Sequence, residues 1–84
     1  MKTQLIPLQT GHLSLEIPLK DMEYVRNAII ARWGKFESEQ RVNYEVVIIS
    51  GSEFVSEAEY DEVCLISGDD DGDSILSEIN RFLG

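Results

Sequence analysis

The chain has 84 residues, of which 43% are hydrophobic and 27% charged, a composition typical of one globular domain spanning residues 1–84. One cysteine and one histidine exclude an internal disulfide and a metal site built from several such residues, and no apolar run reaches the roughly 18 residues of a membrane-spanning helix. The net charge of −9 disfavours direct binding to nucleic acid or to an anionic membrane.

The first part of the chain predicts a β-hairpin. Residues 3–8 form a short strand that contains Pro7, and because proline has no amide hydrogen we expect this strand at a sheet edge. Thr10 and Gly11 indicate a turn. Residues 12–18 then alternate between apolar and polar side chains, as a half-buried strand does.

A helix is predicted over residues 21–33. Asp21 is a suitable N-cap, and Gly34 is a suitable left-handed end. Between them, apolar residues recur at helical spacing and form one stripe. The polar residues 35–40 that follow predict a loop. The stripe consists of Met22, Val25, Ile29 and Trp33.

The second half predicts two further strands and a closing helix. The strands span residues 42–49 and 60–66, and we expect them to pair antiparallel across a long acidic connection. A helix over residues 74–83 is capped by Asp73 or Ser74. The order is therefore ββαββα. The predicted fold class is α+β, with a mixed or antiparallel four-stranded sheet and two helices packed on one face.

The negative charge is concentrated in the second half of the chain. Residues 1–41 contain six bases and five acids, whereas residues 42–84 contain eleven acids and one base, Arg81. A surface of this sign attracts basic partners and repels phosphates. An acidic surface also keeps small domains soluble, and that explanation stays open beside the functional one.

This distribution predicts a non-catalytic module that docks on a basic protein partner, including one that itself binds nucleic acid. If the basic surface of that partner is its nucleic-acid site, the module would act as an inhibitor that mimics nucleic acid. Phage-type inhibitors and immunity proteins for nuclease toxins work by this mechanism. Phe54 is expected to be an exposed apolar anchor between carboxylates. The predicted partner-binding residues are Glu53, Phe54, Glu57, Glu59, Asp61, Glu62, Asp69, Asp70 and Asp71.

Two alternatives rest on other features. Asp69, Asp71, Gly72 and Glu78 align with ligand and glycine positions of an EF-hand loop, although Ser67 stands at the first position and a strand precedes it. This alignment suggests Ca²⁺ binding through Asp69, Asp71, Asp73 and Glu78. Self-assembly is the second alternative, because the basic residues around the first helix oppose the acidic half in sign. These bases are Arg26, Arg32 and Lys35.

No catalytic residues, metal ligands or cofactors are predicted. His12 beside a turn could act as a base only with a nucleophile close by, and Cys64 lies in a strand where cysteine acts as a small apolar residue. The N-terminal segment alternates in polarity and has no continuous apolar block, so we expect no secretory signal and a cytoplasmic protein.

Overall fold

The computed structural model describes residues 3–83, which form one six-stranded sheet and two helices. No helix within these residues is long and apolar enough to cross a membrane. The strands are β1 (Gln4–Pro7), β2 (Leu13–Pro18), β3 (Glu37–Gln40), β4 (Glu45–Ile49), β5 (Ser52–Glu59) and β6 (Glu62–Ser67), and the helices are α1 (Met22–Trp33) and α2 (Asp70–Leu83).

The sheet is antiparallel throughout, with the strand order β1-β2-β6-β5-β4-β3. The predicted α+β class is confirmed, but the four-stranded sheet and the ββαββα order are wrong. The polar residues predicted as a loop contain β3, and the acidic connection is β5. As a result, β5 lies between β4 and β6, which do not pair with each other.

The sequence does not predict strand β5, because its apolar and polar residues alternate only weakly. The side chains that it turns toward the helices are Ser52, Phe54, Ser56 and Ala58, so only one of the four is large and apolar. Its two ends are tight two-residue turns. Ser50 and Gly51 both have positive φ (51° and 84°) before β5, and Tyr60 has φ of 50° after it, as hairpins of this length require.

Both helices pack on the same face of the sheet, as predicted. Val25 and Ile29 of α1 and Leu76 and Ile79 of α2 are at most 1% exposed. They enclose one apolar core together with the inward side chains of the strands, which are Leu15, Ile17, Val47, Ile49, Phe54, Val63 and Leu65.

The first hairpin and the first helix agree with the predicted limits to within one residue. β1 pairs with β2 and forms an edge of the sheet, and α1 ends at Gly34 with φ of 91°. The predicted cap of α1 is wrong, because a 3₁₀ turn over Leu19–Asp21 leads into the helix and Asp21 makes no side-chain capping bond.

Helix α2 begins four residues earlier than predicted. The Gly72 amide donates to Asp69 Oδ1 at 2.6 Å, so Asp69, rather than Asp73 or Ser74, caps the helix. This start is held tightly against the sheet. A side chain at Gly72 would place its Cβ 2.6 Å from Ser67 Oγ and 3.2 Å from the ring of Phe54.

Candidate functional site

One face of the sheet carries no helix, and its composition follows from the strand register. Leu15 and Leu65 point into the core, so Glu16, Cys64 and Ile66 on the same two strands point away from it. The same alternation holds on the other strands. We call this side of the sheet the uncovered face.

A row of apolar side chains crosses the uncovered face at right angles to the strands. In the register, Ile6 is opposite Ser14, Ser14 is opposite Ile66, Ile66 is opposite Val55, and Val55 is opposite Val46. Ile6, Ile66 and Val55 are half-buried. We call Ile6, Ile66, Val55 and Val46 the apolar row.

Beside the apolar row, four carboxylates gather on three adjacent strands. Glu16 and Glu57 flank Cys64 in the register, and Glu59 is opposite Glu62. We call Glu16, Glu57, Glu59 and Glu62 the carboxylate cluster. Three of its members were predicted as partner-binding residues. Glu16 was not, because its position depends on the pairing of β2 with β6, which are far apart in the sequence.

The carboxylate cluster is crowded enough to change the titration of Glu62. Burial raises the pKa of the Glu62 carboxyl, and the neighbouring Glu16, Asp61 and Glu59 carboxylates raise it further. Like charges placed together on neighbouring strands destabilise a sheet. A bound cationic group would relieve this repulsion.

The carboxylate cluster is also free of internal neutralisation within the part of the chain that the structure describes. The ion pairs within residues 3–83 join His12 to Asp73, Arg32 to Glu78, and Arg41 to both Glu39 and Glu53. None of them involves Glu16, Glu57, Glu59 or Glu62. Arg32, one of the bases considered for self-assembly, is therefore engaged within its own chain.

Cys64 lies on the uncovered face among these carboxylates and is half-buried. Burial raises the pKa of its thiol, and the surrounding glutamates, Glu16 and Glu62 first, raise it further. The thiol is therefore protonated near neutral pH, and a protonated thiol is a poor nucleophile.

The other predicted partner-binding acids lie apart from the carboxylate cluster. Glu53 is on the uncovered face, but Arg41 Nη2 lies 3.2 Å from its carboxylate. Asp61 is in the turn between β5 and β6, next to the carboxylate cluster. Asp69, Asp70 and Asp71, the α2 acidic group, lie beyond the other end of β6, which ends three residues, about 10 Å, past the level of Glu16 and Glu57.

The prediction that Phe54 is an exposed anchor is wrong. It is fully buried in the core, between the sheet and α2, and has no exposed surface with which to anchor a partner. The reason is the strand register, which pairs Phe54 with the inward-facing Val47 and Ser67. The apolar residue of β5 that faces outward is its neighbour, Val55.

The start of α2 is organised by hydrogen bonds within the chain. His12 Nδ1 lies 2.8 Å from Asp73 Oδ2, and the Leu13 amide donates to Asp73 Oδ1 at 3.0 Å. The hydrogen bond to Asp73 raises the pKa of the His12 imidazole. Burial opposes ionisation of Asp73, but the bonds from His12 and Leu13 outweigh it and lower the pKa of this carboxyl.

The segment that aligns with an EF-hand loop does not form such a loop. Residues from Asp70 onward are helical, Asp69 is the cap, and Glu78 Oε2 accepts a bond from Arg32 Nε at 2.7 Å. Two sets of possible ligand atoms are nevertheless close, each within 4.8 Å of one another. The first set belongs to His12, Asp70 and Asp73, and the second to Glu16, Glu62 and Cys64.

A concavity of about 470 Å³ lies on the other side of the sheet, where α1 leaves β3 and β4 partly uncovered. Arg26 of α1 and Glu45 of β4 both line it, so its charges balance. The sequence does not predict this concavity, because it depends on how far α1 extends over the sheet. Its remaining lining is mixed and consists of Met22, Phe36, Ser38, Gln40, Val47, Ser56, Ala58 and Val63.

Comparison of the chain with protein-family models, with curated proteins and with solved structures finds no match.

Proposed function

We propose that this protein is a non-catalytic binding module whose uncovered sheet face docks on a basic surface of another protein. The observation that carries the proposal is the carboxylate cluster, which has no ion pair within residues 3–83. Unpaired carboxylates on one face focus a negative field, which steers a basic partner toward that face and speeds encounter.

The apolar row supplies the apolar contacts that stabilise a complex, which the carboxylates do not provide. Exposed charge pairs contribute little net affinity, whereas buried apolar contacts stabilise a complex once it has formed. Ile66 and Val55 lie one strand position, about 7 Å, from Cys64 and Glu57. A partner that contacts the carboxylate cluster therefore also covers part of the apolar row.

The α2 acidic group is the weaker candidate for the same role, because its carboxylates already stabilise the fold. Asp69 caps α2, and Asp70 and Asp71 lie in the first turn, where negative charge interacts favourably with the helix dipole. Removing these charges would act on folding before it acted on binding.

An inhibitor or nucleic-acid mimic is the narrower form of this proposal. Where the partner's basic surface is its own nucleic-acid site, the docked module blocks that site and competes with phosphates for the same lysines and arginines. Displacement of nucleic acid from the captured partner distinguishes this form from simple docking.

The test is capture of partners from an extract of the organism that encodes the chain, at low and high salt. The wild type is compared with Glu57→Gln/Glu59→Gln/Glu62→Gln. A control, Asp21→Asn/Glu23→Gln/Glu45→Gln, removes the same charge outside the carboxylate cluster. We expect the wild type and the control to retain a basic protein at low salt and the cluster variant to lose it. Equal retention by all three would overturn the proposal.

A further inference from the structure

We propose that the partner element seated on the uncovered face is a single amphipathic helix, with an apolar ridge and one basic flank, lying across the strands. The inference rests on the proposed function, because it concerns the same surface. It adds the shape and the chemistry of what binds there.

The length and direction of the apolar row fit a helix. The part of the row from Ile6 to Val55 runs from β1 to β5 across three strand spacings of about 4.8 Å, which gives about 14 Å, and Ser14 of β2 lies within it. A helix of about 10 residues has this length. Its side chains recur along one ridge about every 5.4 Å, close to the spacing of the strands, so successive turns meet successive strands.

The row also has a defined end. Arg41 Nε lies 3.5 Å from Glu39, and its Nη2 lies 3.2 Å from Glu53, so the guanidinium bridges β3 and β5 over the β4 side of the row. Val46 is only 2% exposed there. The accessible part of the row therefore consists of Ile6, Ile66 and Val55, which a short ridge can cover.

On β2, β5 and β6, the carboxylates that have no ion pair within the described residues lie on one side of the row. Glu16 and Glu57 stand one strand position from it, at about 7 Å, and Glu59 and Glu62 stand one position further. On the other side, Glu53 of β5 shares the Arg41 guanidinium with Glu39, and Asp69, which lines a hollow there with Val55 and Ile66, accepts a hydrogen bond from the Gly72 amide. A helix is about 10–12 Å wide, so basic residues along one flank reach the carboxylate cluster while the ridge stays on the row.

The edges of the sheet are less suitable for a partner. A strand that joined the β1 edge would meet Pro7, which has no amide hydrogen to offer. A strand that joined the β3 edge would meet only four residues, two of them glutamates. Docking on the face therefore explains the arrangement better than addition of a strand at an edge.

The test uses a synthetic peptide of about 14 residues, with leucines along one ridge and lysines along one flank. A control peptide has the same composition in an order that forms no ridge. We expect the ridged peptide to shift the amide resonances of Ile6, Val55 and Ile66. Glu57→Gln/Glu62→Gln and, separately, Val55→Thr/Ile66→Thr should each weaken its binding about tenfold, while Glu23→Gln/Glu45→Gln leaves it unchanged.

Three outcomes would overturn this inference. The two peptides could bind equally, the shifts could map to the concavity beside α1, or light scattering could show a dimer that the Val55→Thr/Ile66→Thr variant dissociates, which would make a second copy the occupant. The proposed function would survive any of these results if capture of a basic protein still required Glu57, Glu59 and Glu62. Loss of that requirement would remove both proposals.

Discussion

Glu16 and Glu62 lie on neighbouring strands of the uncovered face, with carboxylate oxygens within 4.8 Å of each other and no cation from the described part of the chain between them. Two like charges in this position oppose folding. A protein that keeps them in spite of this repulsion has the arrangement expected of a binding surface, where local stability is given up for function.

Neutralising Glu62 should therefore stabilise the isolated protein. Because burial and, after it, the neighbouring like charges raise the pKa of this carboxyl, the folded state binds its proton more tightly than the unfolded state does. The resulting destabilisation is absent below the ordinary glutamate pKa and grows as the pH rises through the raised value. We expect Glu62→Gln to have a higher melting temperature than the wild type at neutral pH, with the two converging in acid.

Glu45→Gln is the matched control for this comparison, since Glu45 lies on the other side of the sheet, outside the carboxylate cluster. Its melting temperature should follow that of the wild type. A lower melting temperature for Glu62→Gln at neutral pH would show that Glu62 makes a favourable contact, contrary to our account.

The bond between His12 and Asp73 should make stability depend on pH. The pKa of His12 is raised, so its contribution is complete below the ordinary value of about 6.5 and is lost as the pH rises through the raised value. The pKa of Asp73 is lowered, so its contribution is present above about 3.9 and is lost as the pH falls through the lowered value. The two contributions coexist in mildly acidic solution.

His12→Gln isolates this effect. We expect the difference in urea midpoint between the wild type and His12→Gln to be larger near about pH 5.5 than near about pH 8. Other titrating groups, Glu62 included, act on both proteins and cancel in the difference. A difference that does not change with pH would mean that the ionised pair is absent in solution.

A side chain at position 72 should destabilise the protein, because there is no space for it. A Cβ there would lie 2.6 Å from Ser67 Oγ. Ser67 is buried and its hydroxyl donates to the Asp69 carbonyl, so this side chain has little room to move away. We expect Gly72→Ala to lower the free energy of unfolding by about 1–3 kcal/mol, despite the better helix propensity of alanine.

Gly68→Ala provides the comparison, because a Cβ at Gly68 meets nothing within 4 Å. Urea denaturation of both variants measures the difference. If they were equally stable, the close approach of α2 to Ser67 would not exist in solution.

Phe54 should behave as a core residue and not as a partner contact. It is fully buried, so we expect Phe54→Ala to lower the free energy of unfolding by about 3–5 kcal/mol, through lost apolar burial and the cavity that remains. Urea denaturation measures this effect. A variant of unchanged stability that no longer bound the partner would restore Phe54 as an exposed anchor.

Local patterns predicted the elements that have a strong period. The alternation around Leu15 and Ile17 gave β2, and the stripe that contains Val25 and Ile29 gave α1 with Gly34 at its end. Residues 37–40 have no apolar side chain, and β5 turns mostly small residues inward, so neither strand had a period that could be recognised.

The candidate site could be predicted only in part. Glu57, Glu59 and Glu62 are close in the sequence, and the hairpin of β5 and β6 keeps them together. Glu16 joins them only because β2 pairs with β6, a contact between distant segments that no local pattern encodes. The apolar row depends on the same long-range order, since its members come from four different strands.

The association rate of the captured partner tests the central claim most directly. At low salt we expect Glu57→Gln/Glu59→Gln/Glu62→Gln to associate about tenfold more slowly than the wild type and than Asp21→Asn/Glu23→Gln/Glu45→Gln, and we expect this difference to disappear at high salt. If all three proteins associated at the same rate at low salt, the carboxylate cluster would not guide the partner and the account would be wrong.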